Sequence, residues 1–523
     1  MSAAEPDPSG TDIHRLARGG TLNLAGGVTA GLLGFLLVVV VTRGLGPAGA
    51  GEFFESIGVF TILTGVVQFG ANTGMVRTIS RLRALDRVGE VRSVIAFGLV
   101  PVLTLGAAVA CALFLTAPAV ARALHGTQAD DVARYLRMLA PFLPLAAGSA
   151  VALSGTRGFG TMIPYVALES VGKPLLRPLA VLVAIAAGFG ATGVALAWAS
   201  PLAIQFPVAV AILYVLLGRT DEGRASSRPA GQIGSTLTEF WRFAAPRGLA
   251  SVFQVSVLWL DVLLVGALRG AREAGVYAAV SRLVLVGTFA IEAVRLVIAP
   301  QLSALLARED RQGAEELYQT ATWWLMGLSW PAYILVGVFA STVLRIFGPE
   351  FASGEVPLVI LTGAMLANMG TGNVTVVLLM GGKSSWNLLN TVAALTVNVT
   401  LNLVLIPRLG MSGAAIAWAS SILVENAAAL FQVRSLLGLR PFGQGYRTVA
   451  IETIVAFACV GLIARAVLGD SIPGLLACAG AGGALYVTRM WRSRDTLRLP
   501  MIREAMRYRN RRRARAEASE GQA

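Results

Sequence analysis

Charged side chains recur at helical spacing inside long apolar segments of the chain. In one segment Arg247, Gln254 and Asp261 follow each other at intervals of seven, nearly two helical turns, so they share one helix face. Arg282 lies in the next segment, and neither arginine has an acidic residue three or four positions away. Because charges inside membrane spans usually face an interior cavity, these residues predict a cationic cavity suited to an anionic group. Asp261 also fits a position at the membrane interface, since it lies near a segment end.

Two other groups of charged residues allow two interpretations. Glu169, Lys173 and Arg177 stand at i, i+4 and i+8, and Glu292 and Arg295 stand three positions apart. Each group can line the cavity, or its members can form structural ion pairs, as helical residues three or four apart do. The sequence leaves both interpretations open.

Residues for metal or covalent chemistry are scarce. The chain has three cysteines, all within apolar runs, and two histidines, which leaves little material for a disulfide framework, a zinc site or a histidine relay. We therefore expect no cofactor and no catalytic residues.

A further apolar segment carries Asn72 and Arg77 near its end. This amide and this cation are additional candidates for lining the cavity.

The composition is that of a membrane protein. The 523 residues are 55% hydrophobic and 14% charged, with a mean hydropathy of +0.69. Apolar runs of about 20 residues, the length that crosses a bilayer, recur from end to end. The runs show little period-two alternation, which argues against a β-barrel. The predicted fold class is an all-α polytopic membrane protein with about 14 transmembrane helices.

Fourteen spans follow from these runs, and Lys and Arg in the short loops give their orientation. The basic bias places both termini in the cytoplasm of a multi-pass protein of the cell membrane. The predicted spans are 20–42, 52–76, 92–116, 132–154, 163–186, 191–217, 241–266, 275–300, 317–341, 355–380, 384–406, 411–434, 446–468 and 471–490.

An internal repeat divides the first twelve spans. "GVALAWAS" at Gly193 resembles "GAAIAWAS" at Gly413, and the glycine of "GEFF" at Gly51 aligns with that of "GVYA" at Gly275. The offsets are nearly constant, which predicts two parallel six-span lobes related by an axis along the membrane normal. The predicted organisation is lobe 1–217, cytoplasmic linker 218–240, lobe 241–440, spans thirteen and fourteen in 441–490, and a basic cytoplasmic tail 491–523.

The segment "NVTLNLVLIPRLGMSGAAIAWAS" predicts an outer hairpin between spans eleven and twelve. Asn398 and Asn402 share a face, and intramembrane amides typically bond across helices; the alternative is that they line a substrate path. Pro407 is expected to break the helix, while Gly410 and Gly413 permit the turn and close packing.

The chain resembles the Wzx-type polysaccharide and oligosaccharide flippases of the multidrug/oligosaccharidyl-lipid/polysaccharide exporter superfamily. "TRGLGPAGAGEFF" at Thr42, "DVLLVGALRGAREAGVYAAVSRL" at Asp261 and the hairpin carry the likeness, across roughly residues 15–440. The resemblance implies a two-lobed bundle whose central cavity is lined largely by spans one, two, seven and eight. In that picture Arg247 and Arg282 match cations that face a diphosphate.

The resemblance also implies a function: a polyprenyl-diphosphate-linked glycan moves from the inner to the outer leaflet by alternating access. Span one, from Leu22 to Val41, has no charged residue, whereas the related peptidoglycan-precursor flippases carry arginines there, which argues against lipid II as the substrate. Coupling to the membrane potential, to protons or to sodium ions stays open. The rival functions are a multidrug exporter of the same superfamily and a membrane glycosyltransferase or polymerase.

The expected partners are the lipid-linked glycan and a polysaccharide polymerase or glycosyltransferases, without nucleic acid. From Arg489 onward the tail carries eleven arginines and four acidic residues. Such a segment is attracted to anionic lipids of the inner leaflet.

Overall fold

A computed structural model describes residues 8–125, 130–221 and 233–492, and within these ranges the regular structure is helical, without a strand. The predicted all-helical fold class of a multi-pass membrane protein is confirmed. Residues 222–232 of the predicted linker and the basic tail from 493 onward lie outside the described residues.

The helices follow the predicted spans closely. Their bounds are Pro8–Gln68, Ala71–Ala84, Val91–His125, Asp130–Leu139, Leu143–Gly158, Ile163–Tyr165, Val166–Gly172, Lys173–Ala186, Gly190–Ala199, Pro201–Asp221, Ile233–Arg269, Ala271–Val286, Thr288–Ala307, Arg311–Val338, Ala340–Leu344, Pro349–Gly354, Glu355–Gly370, Val374–Met380, Ser384–Leu409, Met411–Gln432, Val433–Leu437, Gln444–Thr453, Ile454–Cys459, Val460–Leu468, Ile472–Ala477, Cys478–Gly482 and Gly483–Arg492.

Eleven helical stretches of the described chain are long and apolar enough to cross a membrane. The first, Ala25–Ala84, covers predicted span two and most of span one, and helical segments also lie at the positions of spans five and fourteen. The count of fourteen crossings stays a prediction.

Glycine and proline shape two of these helices differently from expectation. The first helix bends at Gly46, which has φ +67° and precedes Pro47. The helix of span eleven continues through Pro407 to Leu409, so the expected break at Pro407 is wrong. Pro407 removes the hydrogen bond to the carbonyl of Leu403, four residues earlier, and only two helical residues, Arg408 and Leu409, follow it, so the loss is confined to the end of the helix. The chain turns at Gly410, with φ +59°.

The described chain divides into two compact units. The first holds the residues up to Phe289 with Leu344–Pro357 and Asn398–Trp418, and the second holds Ala290–Val343, Leu358–Val397 and the residues from Ala419 onward. This division differs from the predicted lobe boundary at 218–240. Span seven and the first part of span eight belong to the same unit as spans one to six, because they pack closely against spans one and two.

Glycines make that packing possible within the first unit. A Cβ on Gly51 would overlap the Ala271 carbonyl, and a Cβ on Gly275 would overlap the Pro47 carbonyl. The two backbones therefore touch directly, which only glycine permits. Gly51 and Gly275 are also the pair that the internal repeat aligns, so equivalent positions of the two halves meet each other.

Candidate functional site

A cavity of about 270 Å³ lies within the first unit. Spans one, two, five, six, seven and eight contribute to its wall. Its lining residues are Gly31, Gly34, Phe35, Leu37, Val38, Phe54, Ile57, Arg177, Trp198, Trp259, Arg282, Leu285, Val286 and Phe289. The wall is mostly apolar, and two arginines supply its positive charge.

Arg282 of span eight stacks on a tryptophan of span seven. Its guanidinium carbon lies 4.0 Å from the centroid of the Trp259 ring. Within the described residues Arg282 forms no ion pair, so the aromatic face is its principal support. A cation above an indole face is attracted by the ring quadrupole, and its charge stays available to an anion.

Arg177 of span five repeats this arrangement. Its guanidinium carbon lies 3.7 Å from the centroid of the Trp198 ring, and its Nε donates a hydrogen bond to the Trp198 carbonyl at 3.2 Å. This bond uses one of the five N–H donors of Arg177, and the planar group can still offer the others to a ligand. The cavity thus presents two stacked guanidinium groups from opposite parts of the sequence.

A polar network behind Arg177 holds span five against span six. Lys173 pairs with Glu169, and the second oxygen of Glu169 accepts a hydrogen bond from Gln205 Nε2 at 2.6 Å. Lys173 therefore acts in an ion pair and is absent from the cavity wall. Glu169 sits in a π-helical turn, Val166–Gly172, a feature that is frequent at functional sites.

Two glycines of span one keep the cavity open. A Cβ on Gly34 would meet no atom within 4 Å, whereas a Cβ on Gly31 would overlap the Phe289 ring. Span one therefore approaches span eight closely at Gly31 and leaves space one turn later. Small residues at these positions give the cavity its volume.

Asp261 lies in a separate buried cluster. Asn402 Nδ2 donates to one carboxylate oxygen at 2.7 Å, and the Tyr277 hydroxyl donates to the other at 3.2 Å. Asn402 also donates to Asn398 Oδ1 at 3.1 Å. Asp261 is only 5% exposed and does not line the cavity. Span eleven is thus bonded to span seven through Asn402. This is the structural role that the sequence allowed for Asn398 and Asn402 beside the role of lining a substrate path.

The hairpin is held by a carboxylate from the start of span eight. Glu273 Oε2 accepts a hydrogen bond from the Met411 backbone N–H at 3.0 Å, at the N-terminus of the span-twelve helix. An anion is favourable there because of the helix dipole. A Cβ on Gly410 would overlap this carboxylate, and one on Gly413 would press on the Leu405 carbonyl, so both glycines serve the turn.

Four predicted cavity residues lie elsewhere in the first unit. Arg247 and Arg77 both approach the Phe243 ring, and neither lines the cavity described above. Gln254 is exposed, and Asn72 Nδ2 donates a long hydrogen bond of 3.4 Å to Gln68 on its own chain segment. The seven-residue steps from Arg247 through Gln254 to Asp261 gave a shared face but not a shared site, because Arg247 and Asp261 are separated by about four turns along the helix.

Glu292 and Arg295 belong to the second unit. They form an ion pair at 2.7 Å, and both side chains are about half exposed. This geometry agrees with the interpretation of Glu292 and Arg295 as a structural ion pair.

The sequence interpretation missed Trp198 and Trp259. One signal was available, because Trp198 is the tryptophan of the "AWAS" motif that both repeats share. Trp259 carried no comparable signal, since its contact with Arg282 joins two different helices and no motif predicts it.

The sequence also matches a family model. Residues 16–306, more than half of the chain, match the family described as polysaccharide biosynthesis protein. The chain belongs to this family. Over 245 residues it is 24% identical to the probable low-salt glycan biosynthesis flippase Agl15 of Haloferax volcanii. The aligned region covers 44% of this chain and 51% of that relative. The match thus spans about half the length of the curated relative.

Solved transporters share the fold of this member of the family. The lipid II flippase MurJ, in an inward closed conformation, superposes with a TM-score of 0.65 at 12% identity over 90% of this chain and 98% of its own. An inward-facing multidrug resistance transporter of the MATE family gives 0.62 at 16% identity over 78% and 94%. At such low identity the likeness shows the fold alone.

Proposed function

We propose that this family member is a secondary flippase for a polyprenyl-diphosphate-linked oligosaccharide. The diphosphate occupies the cavity between Arg177 and Arg282, the glycan crosses with it, and the polyprenyl chain stays in the lipid. No covalent step is needed. The family description and the name of the Haloferax relative support the substrate class.

The observation that carries the proposal is the pair of guanidinium groups stacked on Trp259 and Trp198. A guanidinium fork matches phosphate oxygens in geometry, and an aromatic partner leaves its charge uncancelled. Lys173 and Glu169 nearly cancel each other, so the local excess of positive charge comes from the two arginines. An anion of two or three charges complements it.

The size of the cavity fits this assignment. Its volume of about 270 Å³ is near the low end of the range for ligand pockets, which suits a diphosphate better than an oligosaccharide of several sugars. Passage of the glycan then requires the cavity to widen, as alternating access provides.

The driving force follows from charge. With both termini in the cytoplasm of the cell membrane, as the loop arginines predict, the substrate carries negative charge outward. A potential that is negative inside favours this movement by about 2.3 kcal/mol per charge per 100 mV. Proton or sodium coupling is the alternative.

Leaflet-specific detection of the lipid-linked glycan tests the proposal. A depletion strain is complemented with the wild type, with Arg177→Gln/Arg282→Gln, or with Arg272→Gln, an exposed arginine that pairs with Glu350. The wild type and Arg272→Gln should restore the glycan in the outer leaflet, and the double variant should leave it in the inner leaflet. Full restoration by the double variant, at equal abundance in the membrane, would contradict the proposal.

A multidrug exporter is the second candidate, favoured by the fold shared with the MATE transporter. The rings of Phe35, Phe54 and Phe289 in the cavity wall also suit an apolar drug. The two arginines argue against cationic drugs, which require negative charge. Increased drug resistance on expression, without any change of glycan location, would support this candidate.

The partners follow from the same proposal. The flipped glycan must be supplied by glycosyltransferases and consumed by a polymerase on the other side, and the basic tail is expected to contact anionic lipids. Pull-down of the full chain from its own membranes, with and without residues 497–523, tests both contacts.

A further inference from the structure

Two arginines outside the cavity share a single aromatic ring. The guanidinium carbon of Arg77 lies 4.0 Å from the centroid of the Phe243 ring, and that of Arg247 lies 5.0 Å from the same centroid. Both arginine side chains are exposed. Two positive groups from different helices thus contact one ring.

A direct backbone contact fixes this juxtaposition. A Cβ on Gly70 would overlap the Ala244 carbonyl, and a Cβ on Gly248 would overlap the Phe69 carbonyl. The helix that carries Arg77 therefore crosses the helix that carries Arg247 without side chains between them. This crossing brings Arg77 to the Phe243 ring, which Arg247 contacts from four residues further along the same helix as the ring.

The pair lacks the acidic partners that its neighbours have. Arg81 pairs with Glu239, and Arg87 pairs with Glu90 at 2.6 Å. Within residues 8–125, 130–221 and 233–492, neither Arg77 nor Arg247 forms an ion pair. Two like charges at close range repel each other, and an anion that accepts hydrogen bonds from both removes that repulsion.

Exposed apolar side chains lie near this pair. Phe69, beside the crossing at Gly70, is 37% exposed, and Leu258, eleven positions beyond Arg247 and on the same helix face, is 48% exposed. Cations next to exposed apolar side chains match a molecule that has a phosphate head and a hydrocarbon chain. A free phosphate ion would not need the apolar surface.

We propose that Arg77, Phe243 and Arg247 form a second anion site, which binds the phosphate group of a lipid. The two guanidinium groups hold the phosphate oxygens, and Phe243 keeps both groups in position. That this lipid is the substrate, bound before its diphosphate enters the cavity, rests on the proposed function. Binding of a lipid phosphate as such does not.

Binding to the purified full-length protein in a neutral detergent tests the site. The probes are undecaprenyl diphosphate, phosphatidylglycerol and inorganic pyrophosphate, each titrated against the wild type and Arg77→Gln/Arg247→Gln. Arg92→Gln/Arg242→Gln is the matched control, because it removes the same charge from two exposed positions, one on the helix that carries Arg247 and one on the helix Val91–His125. With two arginines contributing to the attraction, the apparent Kd for lipid should rise roughly thirtyfold in the test variant.

The three probes separate the sources of phosphate. A loss for undecaprenyl diphosphate alone identifies the substrate, a loss for phosphatidylglycerol alone identifies a bulk lipid, and a loss for both identifies a general lipid-phosphate site; each supports the proposal. An equal loss in the control variant, a loss for pyrophosphate alone, or no loss would overturn it.

A conservative variant guards against misfolding. Arg77→Lys/Arg247→Lys keeps both charges and removes the planar forks, so we expect at least a threefold weaker affinity for lipid. Unchanged affinity in the lysine variant, if the glutamine variant does not fold, would also overturn the proposal. Arg177→Gln/Arg282→Gln should leave this site intact, so a failure of the flippase proposal remains distinguishable from a failure here.

Discussion

Replacing Arg282 by glutamine should change transport and stability in different ways. Arg282 is a partly buried cation supported by an aromatic ring and not by a carboxylate. A charged group that is kept unpaired for a ligand lowers the stability of the empty protein and strengthens binding when the ligand is present. Arg282→Gln should therefore weaken substrate binding strongly while leaving the unliganded fold as stable as before.

The magnitudes follow from the geometry. A hydrogen bond to a charged group contributes about 1.5–3 kcal/mol, so loss of the Arg282 contact should weaken diphosphate binding roughly 10- to 150-fold. For the empty protein, the lost contact with Trp259 costs about 0.5–2 kcal/mol. Removing an uncompensated charge from a partly buried position returns a similar amount, so the free energy of unfolding should change by less than about 1 kcal/mol.

Two measurements on the same preparations check this prediction. Flipping of a fluorescent polyprenyl-diphosphate glycan in proteoliposomes should give a higher apparent KM with Arg282→Gln, and thermal unfolding without ligand should keep its midpoint. Trp259→Phe keeps an aromatic face and should raise KM only severalfold. Arg272→Gln serves as the control for the lost charge.

The opposite pattern would refute the reasoning. If Arg282→Gln lowers the thermal midpoint markedly and leaves KM unchanged, Arg282 stabilises the fold and does not bind the substrate. If both quantities stay unchanged, the cavity is not the transport site.

The remaining predictions concern packing, pairing and the tail. Gly275→Ala should cost about 1–3 kcal/mol in unfolding free energy, since its Cβ enters occupied backbone space, whereas Gly65→Ala, which faces open space, should be neutral or slightly stabilising in thermal unfolding. Lys173→Met should cost about 3–5 kcal/mol because it leaves Glu169 without its cation, and Lys173→Met/Glu169→Gln should recover most of the midpoint. Deleting residues 497–523 should preserve flipping and weaken co-sedimentation with anionic vesicles; complete loss of flipping by a folded truncation would give the tail a direct role.

The fold class could be predicted from the sequence because it depends on local quantities. The length and hydropathy of each apolar run set where a helix crosses the membrane, and helices appear at the predicted positions. The exact ends of the helices were harder to predict. Pro407 looked like a break, yet one missing N–H in a last turn costs too little to end the helix before Gly410.

The site was less accessible because it depends on contacts between distant helices. Spacing places Arg177 and Lys173 on one face, but it does not say that Lys173 pairs with Glu169 while Arg177 reaches a tryptophan. In the same way, Arg247 and Arg282 looked equivalent from sequence, as unpaired arginines on adjacent spans. Arg247 contacts Phe243 because the two stand four residues apart on one helix, and the crossing at Gly70 and Gly248 brings Arg77 to the same ring; nothing near Arg247 in the sequence encodes that crossing.

The partner of each intramembrane charge distinguishes structural groups from binding groups. Glu169 and Lys173 satisfy each other, and Asp261 is satisfied by Asn402 and Tyr277; a ligand that bound to them would first have to displace these contacts. Arg177 and Arg282 rest on indole faces, and among the described residues neither forms an ion pair. An anion could therefore pair with these two arginines without breaking an ion pair, which is why we propose binding at them and a structural role for the others.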